Sequence, residues 1–153
     1  MGSEMCIRDR NEIASEMIVS HRNSEREAAR VLALANMAGF DVLNACFDAK
    51  FAYYLIRPTQ VDPTIRLGTG LPNHPSYPSG HSCITSAMAT VLGSAFPSER
   101  ARFEAMIEEA GMSRIWAGLH YRFDCEAGQE LGRQVARYVL EHGVNAHQAI
   151  PLN

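Results

Sequence analysis

The chain has 153 residues, a formal net charge of −3 and 20% charged residues. That length fits one domain able to bury a core, and the absence of a basic run excludes a nucleic-acid partner. No stretch approaches 18 consecutive apolar residues and the N-terminus lacks a basic-then-apolar layout, so neither a membrane span nor a secretion signal is expected.

Residues 1–22 form a poorly defined N-terminal segment, whose first ten, MGSEMCIRDR, match neither helical nor strand periodicity and read as a tag, a scar or a frayed start. The folded domain is expected over 23–147, with 148–153 a tail. In SERE, Ser24 as N-cap and Glu27 three residues on form a capping box. Ala28, Val31, Leu32, Ala35 and Ala38 then recur at spacings of three and four, which predicts an amphipathic helix. Gly39 is expected to kink or divide it. Val42, Leu43, Cys46, Phe47 and Tyr54 continue the stripe until Arg57-Pro58 ends it, because the residue before proline disfavours the helix.

Residues 58–78 hold five prolines and predict a long loop, and loops of that length in a compact domain are usually functional. Further helices are predicted over Ser82–Phe96, apolar nearly all round and so central, over Ser98 to about Ile115 with a break near Gly111, and over Asp124–His142, closed by Gly143. No segment reads as a strand, and the fold class is an all-α helical bundle. The four cysteines form no C-x-x-C pair, so free buried thiols are expected.

Of the 14 basic residues, 13 are arginine and only Lys50 is lysine, as if one site wanted a compact point charge. If 50–57 is one helix, Lys50 and Arg57 lie about 20° apart in azimuth and about 10 Å along the axis, placed either to grip one anion or to sit solvated on an exposed face. In PSGHS, glycine permits close backbone approach, and the amides of Ser79, Gly80 and His81 open the next helix, where an anion is favoured. The same triplet also serves plain helix capping. Downstream, SRIWAGLHYRFD supplies Arg114, His120 and, four residues later, Asp124. A carboxylate at that spacing can hold one ring N–H and raise the basicity of the other nitrogen, or it can simply satisfy a core histidine. His74 is a loop residue at the edge of this set. His21, His142 and His147 read as surface or cap residues, and Trp116 and Tyr53 as packing.

Lys50 followed by Arg57-Pro58, then PSGH at 78–81, then Ser113-Arg114 with Gly118, His120 and Asp124, resembles the three-part signature of the type 2 phosphatidic acid phosphatase and vanadium haloperoxidase superfamily. The surroundings DAKFAYYLIRP, HPSYPSGHS and HYRFDCEAG are most similar to its soluble bacterial haloperoxidase-like subgroup. The resemblance implies that Lys50, Arg57, Ser79, Gly80 and Arg114 cradle phosphate or vanadate, that His81 is the acid–base group and that Asp124 orients His120. His120 would bind vanadium in a haloperoxidase, with vanadate as cofactor and peroxide and halide as substrates. In an acid phosphatase it would attack phosphorus, with no cofactor. A non-catalytic anion-binding helical fragment is the remaining alternative. Members of the subgroup carry more helices ahead of the lysine motif, so a C-terminal fragment of a longer bundle is expected. No oligomeric state or compartment is signalled.

Overall fold

The computed structural model describes residues 3–143, with side chains from Ile7 onward. The order is α1 (Ser3–Ser20), α2 (Glu25–Tyr53), α3 (Pro58–Val61), α4 (Gly80–Ala95), a 3-10 turn at Pro97–Glu99, α5 (Arg100–Trp116) and α6 (Arg122–His142). No strand occurs among the described residues, and the bundle is all-α as its periodicity predicts. Residues 144–153, with the expected domain end at 147, the tail and His147, lie outside the described residues.

The capping box forms: the Ser24 hydroxyl accepts from the Glu27 amide, and the Glu27 carboxylate accepts from the Ser24 amide. From there α2 runs unbroken. Gly39 does not divide it; the position is small because Met88 Sδ of α4 lies 3.2 Å from where a Cβ would stand. The buried stripe Val31, Ala35, Ala38, Val42, Cys46 and Lys50 advances by three or four residues, so the single lysine sits on the core face. α2 also stops short of Arg57-Pro58: Tyr54 adopts a left-handed φ of 52° and its amide closes onto the Lys50 carbonyl. Within Glu25–Val61 an 18-residue window reaches a mean hydropathy of 1.3, long and apolar enough to cross a membrane, while 39% of that window is buried within the fold. Composition alone therefore does not separate this core helix from a span.

Helix α4 is central as expected, buried from Ser82 to Leu92 except for Thr90, and packed against α1, α2, α5 and α6. Its closest neighbour is α6, along a seam of small residues at four-residue spacing, Gly128, Gly132 and Ala136. A Cβ on Gly128 would lie 2.7 Å from the Ser79 carbonyl oxygen, and one on Gly132 would lie 2.6 Å from that of Cys83. Gly111 does not break α5; it admits Gln129 Nε2, 2.9 Å from its Cβ position.

The N-terminal segment departs most from expectation. Residues 3–20 form α1, whose Ala14 and Met17 enter a second core with Val31, Leu92, Phe96, Phe103 and Ile107. Arg10 Nη2 reaches Thr85 Oγ1 at 3.4 Å, and Asn11 and Asn36 exchange hydrogen bonds. A charge-rich outer face hides the spacing of Ile7, Ala14 and Met17 in the sequence. Trp116 and Tyr53 also differ from the packing expected of them, at 74% and 65% exposed. Gly143 ends α6 with φ −69°, outside the left-handed region, and is small because a Cβ would press on Val139 and Leu34.

Candidate active site

The buried stripe of α2 carries Lys50 inward, wholly enclosed, where Nζ donates to the carbonyls of Pro75 at 2.8 Å and Ser76 at 2.9 Å. An ammonium has three protons, so one remains for an anion. Burial, together with the Arg57 charge and against the pull of Cys46, lowers its pKa to about 8.

Arg57 reaches the same loop by a different route. It is not on the lysine's helix: it stands beyond α2 in an extended conformation (φ −83°, ψ 158°), as the N-cap of α3. Its side chain is nonetheless 1% exposed. Nε donates to the His74 carbonyl at 3.2 Å, Nη1 to that of Leu119 at 2.8 Å, and Nη2 to that of Pro75 at 3.4 Å. Nη2 also lies 3.2 Å from His74 Nδ1, and Nη1 lies 3.4 Å from His120 Nε2. Lysine and arginine thus converge by gripping residues 74–76 from two sides, and His74 is half-buried against Phe47 as part of that grip.

His120 is delivered by the turn between α5 and α6. The Leu119 amide bonds to the Arg114 carbonyl and the Gly118 amide to that of Ile115, a Schellman closure with Gly118 at φ +72°. A Cβ there would lie 2.8 Å from Ile65, so the turn also tucks under the 58–78 loop. α6 then begins at Arg122, placing Asp124 in its first turn rather than at its cap. Asp124 Oδ2 receives the Tyr121 amide at 3.1 Å, His120 Nδ1 at 3.0 Å and the Ser76 hydroxyl at 2.6 Å. A carboxylate accepting from Nδ1–H leaves the Nε2 lone pair free to face Arg57. Ser76 was not singled out in the sequence; its only signal is its place three residues before Ser79, in a loop whose carbonyls the cations hold.

Ser79 N-caps α4. Its Oγ accepts from the Ser82 amide at 3.4 Å and the Ser82 hydroxyl at 3.1 Å, and its own amide donates to the Asp124 carbonyl at 2.9 Å. That amide, expected to face an anion, is therefore spent on joining α4 to α6. The Gly80 and His81 amides occupy the first turn, where no helical acceptor exists. His81 pairs with Arg114, Nε2 to Nη1 at 3.4 Å. Lys50, Arg57, Ser76, His120 and Asp124 make one connected network, and His81 with Arg114 a second pair. Beside Arg57 and His74 opens a groove of about 230 Å³, lined also by Phe51, Tyr54, Leu55 and Leu71.

Burial lowers both imidazoles to about 4: His120 against the pull of Asp124 and with the push of Arg57 and Lys50, His81 with the push of Arg114 and His120. Both rings are neutral near neutrality. Because the folded pKa lies below the ordinary 6.5, the unfolded chain binds more protons as pH falls from 6.5 to 4, and stability drops through that window. The loss is expected to be on the order of a few kcal/mol. It should appear as a falling urea midpoint, restored in part by phosphate; a midpoint flat from pH 6.5 to 4 would show that the rings titrate freely.

Hydrogen bonds through residues 74–76 and Asp124 link the two buried cations, the start of α4 and the carboxylate-held imidazole within one helical bundle. Residues 29–145 match the PAP2 superfamily, and the chain belongs to it. A 57-residue stretch is 37% identical to the non-specific acid phosphatase of Salmonella typhi, covering 37% of this chain and 23% of that protein. Among solved structures, a bacterial vanadium-dependent iodoperoxidase superposes with a TM-score of 0.77 at 26% identity, over 84% of this chain and 37% of its own. LpxE of Aquifex aeolicus shares the fold, with a TM-score of 0.68 at 17% identity over 92% of this chain and 84% of its own. The chain thus spans a minor part of the length of the phosphatase and of the iodoperoxidase.

Proposed function

We propose that this protein binds vanadate in the cup and oxidises halide with hydrogen peroxide, as a haloperoxidase of the superfamily. The observation that carries the reading is His120, whose Nδ1–H is held by Asp124 at 3.0 Å while Nε2 faces Arg57. The donor set suits the group: one imidazole lone pair for the metal, and Lys50, Arg57, Arg114 and the first amides of α4 for its oxygens. Bound vanadate would supply a Lewis-acidic centre that activates peroxide toward halide. The chain's own part is to neutralise the oxyanion's charge, to hold Nε2 unprotonated, and to move protons at His81. The 3.4 Å contact between Arg57 Nη1 and His120 Nε2 is long for a hydrogen bond, so an oxyanion inserted between them displaces little.

A second reading is favoured by the local identity to the acid phosphatase. His120 Nε2 would attack phosphorus of a phosphomonoester, the P–O bond to the alcohol would break, and His81 would donate its proton to the departing alkoxide. His81 then has to gain a proton first, and the bound dianion supplies the charge that raises its pKa. Vanadate separates the two: halide oxidation that appears only on its addition supports the first reading, whereas loss of phosphomonoester hydrolysis on its addition supports the second. Phosphate binding with neither turnover would leave a non-catalytic anion-binding module.

Ser76→Ala tests the support of the dyad. Removing its 2.6 Å bond leaves Asp124 Oδ2 with two donors and His120 less firmly held, and turnover is expected to fall about 10- to 100-fold. KM should stay unchanged, and the acid limb of the pH profile should move upward, a shift that mere loss of packing does not produce. An unmoved profile would remove Ser76 from the machinery.

A further inference from the structure

The chain leaves α2 at the left-handed Tyr54 and returns beside itself at residues 71–75, and the groove next to the cup lies between these two passes. Both passes are tied together: the Ser76 amide donates to the Leu55 carbonyl at 2.8 Å, and Arg57 donates to the carbonyls of His74 and Pro75. The groove is therefore in place before any ligand arrives, which lowers the cost of filling it. Of its wall residues, Phe51 is 57%, Tyr54 68% and Leu71 46% exposed, an apolar surface left in water at the edge of a charged site. We propose that this groove is the subsite for the organic part of the substrate, and that its occupant is a single phenolic ring. The proposal deepens the function given above and rests on it.

Size, wall chemistry and position each point to that class. The volume of about 230 Å³ exceeds the ~150 Å³ that holds one benzene and falls short of the ~300 Å³ at which sites for drug-sized ligands begin, so one substituted ring fills the groove. The Phe51 and Tyr54 rings stand 6.4 Å apart at 46°, and behind them Phe47 lies 6.2 Å from Phe51 and 5.3 Å from His74. These are the tilted spacings that aromatic rings adopt with one another, and a further ring gains such contacts where an alkyl chain gains only its buried area. Gln60 Oε1 is held by the Arg57 amide at 2.8 Å, which leaves Nε2 to donate to an oxygen on the ring. Arg57 belongs to both places: it lines the groove, and its Nη1 is 3.4 Å from His120 Nε2. A ring in the groove is thus one guanidinium away from the reacting atoms.

The same ring serves either reaction of the cup. In the haloperoxidase, peroxide, halide and one proton give hypohalous acid and water; a phenol in the groove then takes the halogen, its new carbon–halogen bond forming as the oxygen–halogen bond breaks, and the ring proton leaves with the hydroxide as a second water. In the phosphatase, the ring is the leaving group of an aryl phosphomonoester: the bond from phosphorus to the phenolic oxygen breaks, and that oxygen takes the proton of His81. A phenolic oxygen also leaves more readily than an aliphatic one, because its conjugate acid has a pKa near 10.

Leu71→Trp tests the subsite by filling it, at a position exposed enough to spare the fold, and Phe51→Ala tests it by removing a wall. Phenol is titrated into the full chain and followed by saturation-transfer NMR. The natural sequence should give a saturable signal, and each variant should weaken phenol binding about tenfold or more. No saturable signal, or equal affinity in the natural chain and both variants, would overturn the proposal. Turnover then separates the ring from the cup. In Leu71→Trp the KM for phenyl phosphate should rise about tenfold while that for glycerol 2-phosphate stays; with vanadate, iodide and peroxide, the KM for phenol iodination should rise likewise while triiodide formation without phenol stays. Equal shifts for ring-bearing and ringless substrates would overturn the subsite, as would iodination that never saturates in phenol. If neither reaction occurs, the proposed function fails, and the phenol titration still decides the groove.

Discussion

His120→Ala is expected to lower turnover by about three orders of magnitude or more, whichever of the two reactions the cup performs. The substitution deletes the one lone pair that can bond to vanadium or phosphorus, and no neighbouring side chain can replace it: His81 sits against Arg114 on the far side. The fold should survive. Asp124 Oδ2 keeps the Ser76 hydroxyl and the Tyr121 amide, and the Schellman turn that positions residue 120 depends on Gly118 and not on the imidazole. Thermal unfolding near that of the natural sequence with turnover lost is the predicted pair of measurements. Retained turnover in a folded variant would exclude His120 as nucleophile or ligand.

The largest effect on stability is expected at the α4–α6 seam. A Cβ on Gly132 would stand 2.6 Å from the Cys83 carbonyl oxygen, 2.6 Å from Ser86 Cβ and 2.8 Å from the Ala87 amide nitrogen. Two of these are backbone atoms of the central helix, which cannot swing aside as a flexible side chain does. Gly132→Ala therefore forces α6 outward, at about 3 kcal/mol, a large share of the usual stability of a domain. The shift would also strain the bond from the Ser79 amide to the Asp124 carbonyl, so anion affinity should fall with stability. Gly70→Ala is the control, since nothing lies within 4 Å of its Cβ position, and it should be neutral. Equal unfolding midpoints for the two variants would show that the seam tolerates widening.

Much of the bundle is legible because its signals are local. The capping box at Ser24 and the apolar runs of α4 and α6 each depend on residues within a few turns of one another. α1 escaped notice because its core-facing residues are few and its other faces are charged; only contact with Leu92, Phe96 and Phe103 makes Ala14 and Met17 a stripe. The spacing of Lys50 and Arg57 misled in the opposite way. Seven residues fit two helical turns, yet Tyr54 turns left-handed and ends the helix between them. The two cations still converge, because both bind the carbonyls of residues 74–76.

The sequence by itself determined the helical class and the chemical inventory, for periodicity and side-chain type are properties of the chain read in order. Only the tertiary structure decided which loop the cations clamp and that Ser76 shares the carboxylate of Asp124 with His120. Each is a contact between residues distant in the chain, 48 apart for Ser76 and Asp124, and no local pattern records it. Such meetings follow from which helices can approach closely, and at the α4–α6 seam that is set by Gly128 and Gly132, whose reason for being small appears only when the neighbouring backbone is in place.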